Sequence, residues 1–238
     1  GRNPLQGKKK GGIKAHTIVK ASENVPCLIR YSAAVRHDHT FLHEVHTLSK
    51  GSIITFDKGY VDYAQYEAFS QSGIFYVTRL KENAVYQARK EYDLPENAPS
   101  SVLKDEEVVL YYGQDKKSEH RTRRIAYWDD ENKRLFEFIS NNFEFSAEKI
   151  ALIYKQRWKI ELLFKQIKQN FPLKYFLGDN ENAIEIQIWA AMLANLLITL
   201  VKSKVKRPWA FSNMVSLIRN QLMNYVDIYR FLEDPEGC

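Results

Sequence analysis

The stretch Tyr154-Lys155-Gln156-Arg157-Trp158-Lys159-Ile160-Glu161-Leu162-Leu163-Phe164-Lys165 decides how this chain is read. Ser146 is a good N-cap and Glu148 falls in the first turn, so a helix starts there. It runs to about Asn170, ahead of Phe171-Pro172. At about 100° per residue, Tyr154, Arg157, Glu161 and Lys168 share an arc about 60° wide. Ile153, Ile160, Leu163 and Ile167 fall on another side and would seat the helix on a core. Residues 151–170 hold five basic groups and one acid. A lone carboxylate therefore stands among a phenol, a guanidinium and amines. A solvated face in which Glu161 pairs with Arg157 or Lys165 gives the same pattern, so the helix alone leaves both readings open.

Upstream, Gly11-Gly12 opens the alternating run Ile13 to Val19, which reads as a strand, and Val25 to Ala34 reads as a second. Asp38 can cap a helix from about His39 to Leu48. Ser52 to Phe56 reads as a buried strand that ends at Asp57-Lys58-Gly59. A helix from about Val61 to Gln71 and a strand from Ile74 to Leu80 follow. Residues 82–134 change character: Pro95 and Pro99 punctuate charge clusters and short β-type runs such as Val108 to Tyr112 and Ile125 to Trp128. They read as an inserted β-rich subdomain. Leu135 to Ile139 returns to a strand, and beyond the Glu161 helix come helices at about 180–204 and 210–232. The expected organisation is a core at 1–81, the insertion at 82–134, the core resumed at 135–205 and a helical segment at 206–238. Such an order makes an α/β fold with mixed strand pairing.

The bulk properties set bounds. With 238 residues, 45% hydrophobic and 27% charged, the chain has the balance of a globular protein and not of a disordered one. The net charge of +6 is carried by residues 1–22, where Arg2, Lys8, Lys9, Lys10, Lys14 and Lys20 meet no acid. That segment reads as a phosphate-binding arm or as a solvated terminus. Cys27 and Cys238 make no disulfide framework, which fits a reducing cytoplasm. No secretory signal is visible. The apolar stretch Ile186 to Val201, interrupted by Gln187, Asn195 and Thr199, reads as a buried helix, so no membrane is expected.

The spacing Tyr154, Arg157, Glu161, Lys168 resembles the signature helix of DDE-type insertion-sequence transposases. Other segments resemble that family in order: Lys10-Gly11-Gly12-Ile13-Lys14-Ala15-His16, His37-Asp38, Phe56-Asp57-Lys58-Gly59-Tyr60, Val77-Thr78-Arg79-Leu80-Lys81 and Ile139-Ser140-Asn141. The resemblance covers residues from about 8 to 205. It implies an RNase H-like mixed sheet with flanking helices and a β-rich insertion before the Glu helix. It implies metal-dependent cleavage and strand transfer at insertion-sequence ends, with two Mg²⁺ or Mn²⁺ ions. Asp57 and Glu161 are then catalytic metal ligands, while Tyr154, Arg157 and Lys168 grip DNA phosphates. The chemistry suits the residue types: hard cations take oxygen ligands, and two ions about 4 Å apart can serve both the attacking and the leaving oxygen. The implied partners are the terminal repeats and target DNA, with a homodimer on paired ends in the bacterial cytoplasm at the nucleoid.

The sequence also departs from the family. The first catalytic Asp belongs on a strand before Lys10, and no acid precedes Gly11. The expectation is two ligands of three, a missing first core strand, an exposed sheet edge, and a chain inactive by itself. Two other readings stand beside an active domain: a non-catalytic DNA-binding remnant of an inactivated element, and an RNase H-fold nuclease that cuts without rejoining. The Tyr-Arg-Glu-Lys stripe argues against the last. Trp128 could stack on a flipped base or simply pack, and Arg121, Arg123 and Arg124 could track a DNA backbone or form a solvated charge run. Trp158 is read as core packing. His37, His39, His43 and His46 cluster, but their spacing is not that of a metalloprotease, and surface positions are expected.

Overall fold

A computed structural model describes residues 13–33, 37–45, 48–95, 98–113, 115, 117–173, 175–178 and 180–237. Gly11-Gly12, the basic residues Arg2 and Lys8 to Lys10, Ala34, His46 and Cys238 lie outside the described residues. Strands β1 (Ile13–Lys20) and β2 (Val25–Ala33) form a two-stranded sheet, turned through Asn24 at a φ of 56°. Six more strands make a second sheet: β3 (Ile53–Thr55), β4 (Phe75–Arg79), β5 (Tyr86–Glu91), β6 (Val102–Tyr112), β7 (Ser118–Asp129) and β8 (Arg134–Ser140). Their order is β3-β4-β8-β7-β6-β5. β3 and β4 are parallel, joined by helix α1 (Tyr63–Gln71), and the other pairs are antiparallel. This is the mixed α/β sheet with flanking helices that the sequence called for. The strands at 82–134 do not stand apart from it, because β7 is hydrogen-bonded directly to β8.

Alternation along β4 divides the core. Tyr76 turns to one face, with Phe41, Phe56, Tyr66 and Phe69. Val77 turns to the other, with Ile125, Phe138, Ile150 and Tyr154, where helix α2 (Ala147–Gln156) is seated. This is the period of two that a pleated strand imposes. Ser146 caps α2 as expected, its hydroxyl accepting from the Lys149 N–H at 3.2 Å.

Three local readings need correction. Asp38 does not cap an α-helix; it lies inside a 3₁₀ turn, Asp38–Glu44, preceded by His37. Its carboxylate is taken by the Lys14 ammonium at 2.8 Å and so is not folded back on the chain. The helix expected from Val61 begins at Tyr63, because Asp62 caps it by accepting from the Gln65 N–H at 3.1 Å. The single helix expected from Ser146 to Asn170 is two, α2 and α3 (Trp158–Asn170), interrupted at Arg157.

Backbone contacts divide the chain into two compact units, one of residues 1–21 and 28–158, the other of residues 22–27 and 159–238. The second unit holds nearly all of α3, with α4 (Glu181–Lys204), and the single helix expected at about 210–232 is two, α5 (Phe211–Gln221) and α6 (Ile228–Glu233), the second capped by Asp227. Met214, Phe231 and Leu232 form a small core there, against Ile198 and Val201 of α4. The expectation of a buried α4 fails. Only Ala191, Met192 and Asn195 are buried, while Ile186, Leu193, Leu197 and Leu200 are exposed. By length and composition α4 is apolar enough to cross a membrane. Its polar interruptions are tied down: Asn195 accepts from the Gln166 amide at 2.8 Å, and Gln187 donates to the carbonyls of Pro172 and Tyr175.

Candidate catalytic site

Asp57 stands at the C-terminal end of β3, and the sequence around it explains why. Ile53, Ile54 and Thr55 pair in parallel with Phe75, Tyr76 and Val77. The next residue, Phe56, is buried, and its carbonyl accepts from the buried Thr78 hydroxyl at 2.8 Å. The chain is therefore fixed immediately before Asp57. It then turns: Tyr60 N–H donates to the Asp57 carbonyl, and Gly59 N–H donates to Asp57 Oδ1, both at 3.0 Å. The other carboxylate oxygen accepts from Arg79 Nη2 at 3.4 Å, and the Asp57 side chain remains 41% exposed.

The turn after Asp57 is braced from the two-stranded sheet. The Tyr60 hydroxyl is 2.9 Å from His16 Nδ1, and His16 Nε2 is 2.9 Å from the Ser32 hydroxyl. Burial, then the carboxylates of Asp38 and Asp57, push the Tyr60 phenol up to about 12, so it stays protonated. Burial holds the His16 imidazole below its usual value, against the pull of Asp38. His16 and Tyr60 lie 44 residues apart, so no local pattern marks them as neighbours.

Of the helix residues, Tyr154 and Arg157 belong to the first unit, and Glu161 and Lys168 to the second. Tyr154 is buried, its ring centroid 5.0 Å from that of Phe138. Its hydroxyl is buried beside the Arg157 guanidinium, and among the described residues no acceptor takes its proton. Burial raises the Tyr154 pKa, opposed by Arg157 and Arg79, so the phenol is neutral. The Arg157 guanidinium lies 5.4 Å from the Tyr154 ring and that of Arg79 lies 6.0 Å from it. Arg79 also faces the Phe136 ring at 5.7 Å, and Arg134 covers that ring at 4.2 Å. The first unit thus brings Asp57, Arg79, Tyr154 and Arg157 together. Phe136 and Arg134 extend this alternation of guanidinium and ring, which sequence reasoning missed.

In the second unit, α3 buries Leu163 and Ile167, as its apolar stripe required. Glu161 and Lys168 line a groove of about 1250 Å³. Trp158 is not core packing: it is 55% exposed, on the side of α3 away from Leu163 and Ile167. The arginine run of β7 is engaged across the strands. Arg121 holds Glu107 with two bonds of 2.7 Å, Arg123 is buried on Asp105, and Arg124 joins Glu106 and Glu137. Trp128 donates its indole N–H to Asp130 at 3.1 Å. His43 meets Asp62 at 3.0 Å, and the rings of His37 and His39 stack 5.6 Å apart.

Among the described residues, no three His, Cys, Asp or Glu side chains converge to hold a metal ion. Asp57 and Glu161 are oxygen donors of the kind Mg²⁺ or Mn²⁺ takes, so they fit such an ion in chemistry but do not complete a set of three.

Residues 2–197 match the family described as "Transposase DDE domain", and the chain belongs to that family. A Sinorhizobium fredii protein named as a transposase, y4zB, is 30% identical over 191 residues, which are 79% of this chain and 53% of that protein. A Geobacillus stearothermophilus protein, named as the transposase of insertion sequence element IS5377, is 25% identical over 217 residues, 91% of this chain and 56% of its own. The transposase for insertion sequence element IS231B of Bacillus thuringiensis is 22% identical over 219 residues, 72% of this chain and 46% of its own. The chain spans about half the length of the curated relatives it matches.

Proposed function

We propose that this chain forms the catalytic domain of an insertion-sequence transposase that cleaves DNA strands at the element's ends and transfers them, in the cytoplasm and as a homodimer on paired ends. The observation that carries this reading is the presentation of Asp57. It sits at the end of a strand paired in parallel, fixed by the Thr78 and Gly59 bonds, and open to solvent. Asp57 and Glu161 are the catalytic carboxylates and metal ligands. Mg²⁺ or Mn²⁺ held there would supply charge stabilisation at the scissile phosphate and an acidified water or hydroxyl. The protein's own groups position the DNA. Arg157 and Lys168 grip phosphates, Arg157 by its fork and Lys168 as a point charge, and the buried Tyr154 hydroxyl is a donor with no protein acceptor. Residues 82–134 serve as the insertion, and 206–238 as the helical segment after the core.

The third carboxylate is proposed to come from a further strand. β3 ends the six-stranded sheet, and among the described residues no strand pairs with its other edge. A strand lying there would place an Asp beside Asp57, and without it the chain is inactive alone. The absence of three converging ligands among the described residues favours a second reading, a DNA-binding remnant that does not cut.

The purified chain tests both parts. It is expected to bind duplex DNA without metal, with the salt dependence reduced by about 0.9 for each of Arg157→Ala and Lys168→Ala. It is expected not to cut DNA carrying the element's ends in Mg²⁺. Unchanged salt dependence in both variants would remove the phosphate-gripping roles. Mg²⁺-dependent cutting by the chain alone, lost on Glu161→Ala, would overturn its inactivity.

A further inference from the structure

The groove in the second unit carries more than Glu161 and Lys168. Lys165 and Lys168 lie three residues apart on one side of α3, and Arg219 faces the same groove from α5. Among the described residues, no carboxylate pairs with any of these three cations. Arg219 donates through Nη2 to the Asn170 carbonyl at 3.2 Å, which sets the guanidinium at the C-terminal end of α3. That bond occupies one of its five N–H donors. Beside them the lining holds the Glu161 carboxylate, polar Gln169 and Asn170, and the rings of Phe171 and Tyr175, of which Tyr175 is 82% exposed. Helix capping accounts for the Arg219 bond, but not for three unpaired cations beside an uncovered ring.

Cations beside a free aromatic face are what a single nucleic-acid strand needs, since phosphates take the charge and an unpaired base takes the ring. We propose that this groove binds a single DNA strand, with Arg219 on a phosphate and Tyr175 stacked on an unpaired base. The inference rests on the DNA-processing function proposed above. It adds to it a contact from α5, outside the Tyr-Arg-Glu-Lys spacing, and a preference for strand ends whose bases are unpaired.

The experiment is fluorescence anisotropy of a labelled single strand of about 12 nucleotides, with the full chain and a chelator present so that no metal chemistry intervenes. Tyr175→Ala is expected to weaken binding about tenfold while Tyr175→Phe keeps it. Arg219→Ala is expected to lower the slope of log affinity against log salt by about 0.7, and Arg219→Lys to restore it. Both side chains are exposed, so the variants should fold, and thermal unfolding checks this. Wild-type affinity and slope in both alanine variants would overturn the groove as a strand site. So would an Arg219→Ala variant that loses stability without a change in slope, which would make Arg219 a helix cap only. In either case duplex binding through Arg157 would stand, and with it the proposed function. A chain that binds neither single strands nor duplex would overturn both.

Discussion

Asp57 was legible because a carboxylate in Asp-Lys-Gly directly follows an apolar β-type run. Its surroundings were not, because they are assembled from β4, β8 and α2. Arg79 is the clearest case. It reaches Asp57 at 3.4 Å while its guanidinium lies over two rings, Phe136 and Tyr154, a contact between distant segments that no periodicity encodes. Tyr154 is more informative than its motif suggests. Its ring belongs to the core, and among the described residues its buried hydroxyl has no acceptor. A buried hydroxyl whose proton finds no acceptor contributes little to stability, so Tyr154→Phe is expected to leave stability unchanged or raise it by up to about 1 kcal/mol. The same variant should weaken DNA binding if the hydroxyl serves a phosphate. Urea unfolding and anisotropy on one preparation check both halves, and a destabilised variant with wild-type DNA affinity would make Tyr154 purely structural.

At the scale of elements, strands were read more faithfully than helix ends. Alternation fixes strand faces whatever the surroundings, whereas a helix start depends on which side chain caps it, and Asp62 took that place ahead of Val61. The arginines of β7 were open to two readings because cross-strand partners lie in another segment, and Glu107, Asp105 and Glu106 of β6 claimed them. The join of α1 to β7 gives a pH prediction. The buried His120 lies 2.8 Å from Glu67 through Nδ1 and 2.7 Å from the Tyr76 hydroxyl through Nε2. Burial lowers its pKa below 6.5, outweighing Glu67. The unfolded chain then binds the extra proton first, so stability is full above about pH 6.5 and falls as pH drops from there towards the folded value. Urea unfolding between about pH 7.5 and 5.5 should show this decline, flattened in His120→Gln. An equal decline in the variant would assign it to other groups.

For the molecule as a whole, the order of elements and the mixed sheet were legible, and the division into units was not. The Tyr-Arg-Glu-Lys spacing reads as one helix, yet α2 ends at Gln156 and Glu161 belongs to the unit that holds the C-terminal helices. The apolar run in α4 was equally opaque, because composition does not say what covers a helix: Leu197 is 63% exposed where burial was expected. The central claim, that Asp57 and Glu161 are two carboxylates of one transposition site, concerns residues in separate units. The direct measurement is excision of a marked copy of the insertion sequence in cells that express this chain together with the further strand proposed to supply the third carboxylate, with Asp57→Asn and Glu161→Gln compared with the unaltered gene. Excision by the unaltered gene and none with either variant, at equal protein levels, is the result expected of one shared site. Excision that persists in either variant would contradict it, and no excision by the unaltered gene would give precedence to the DNA-binding remnant.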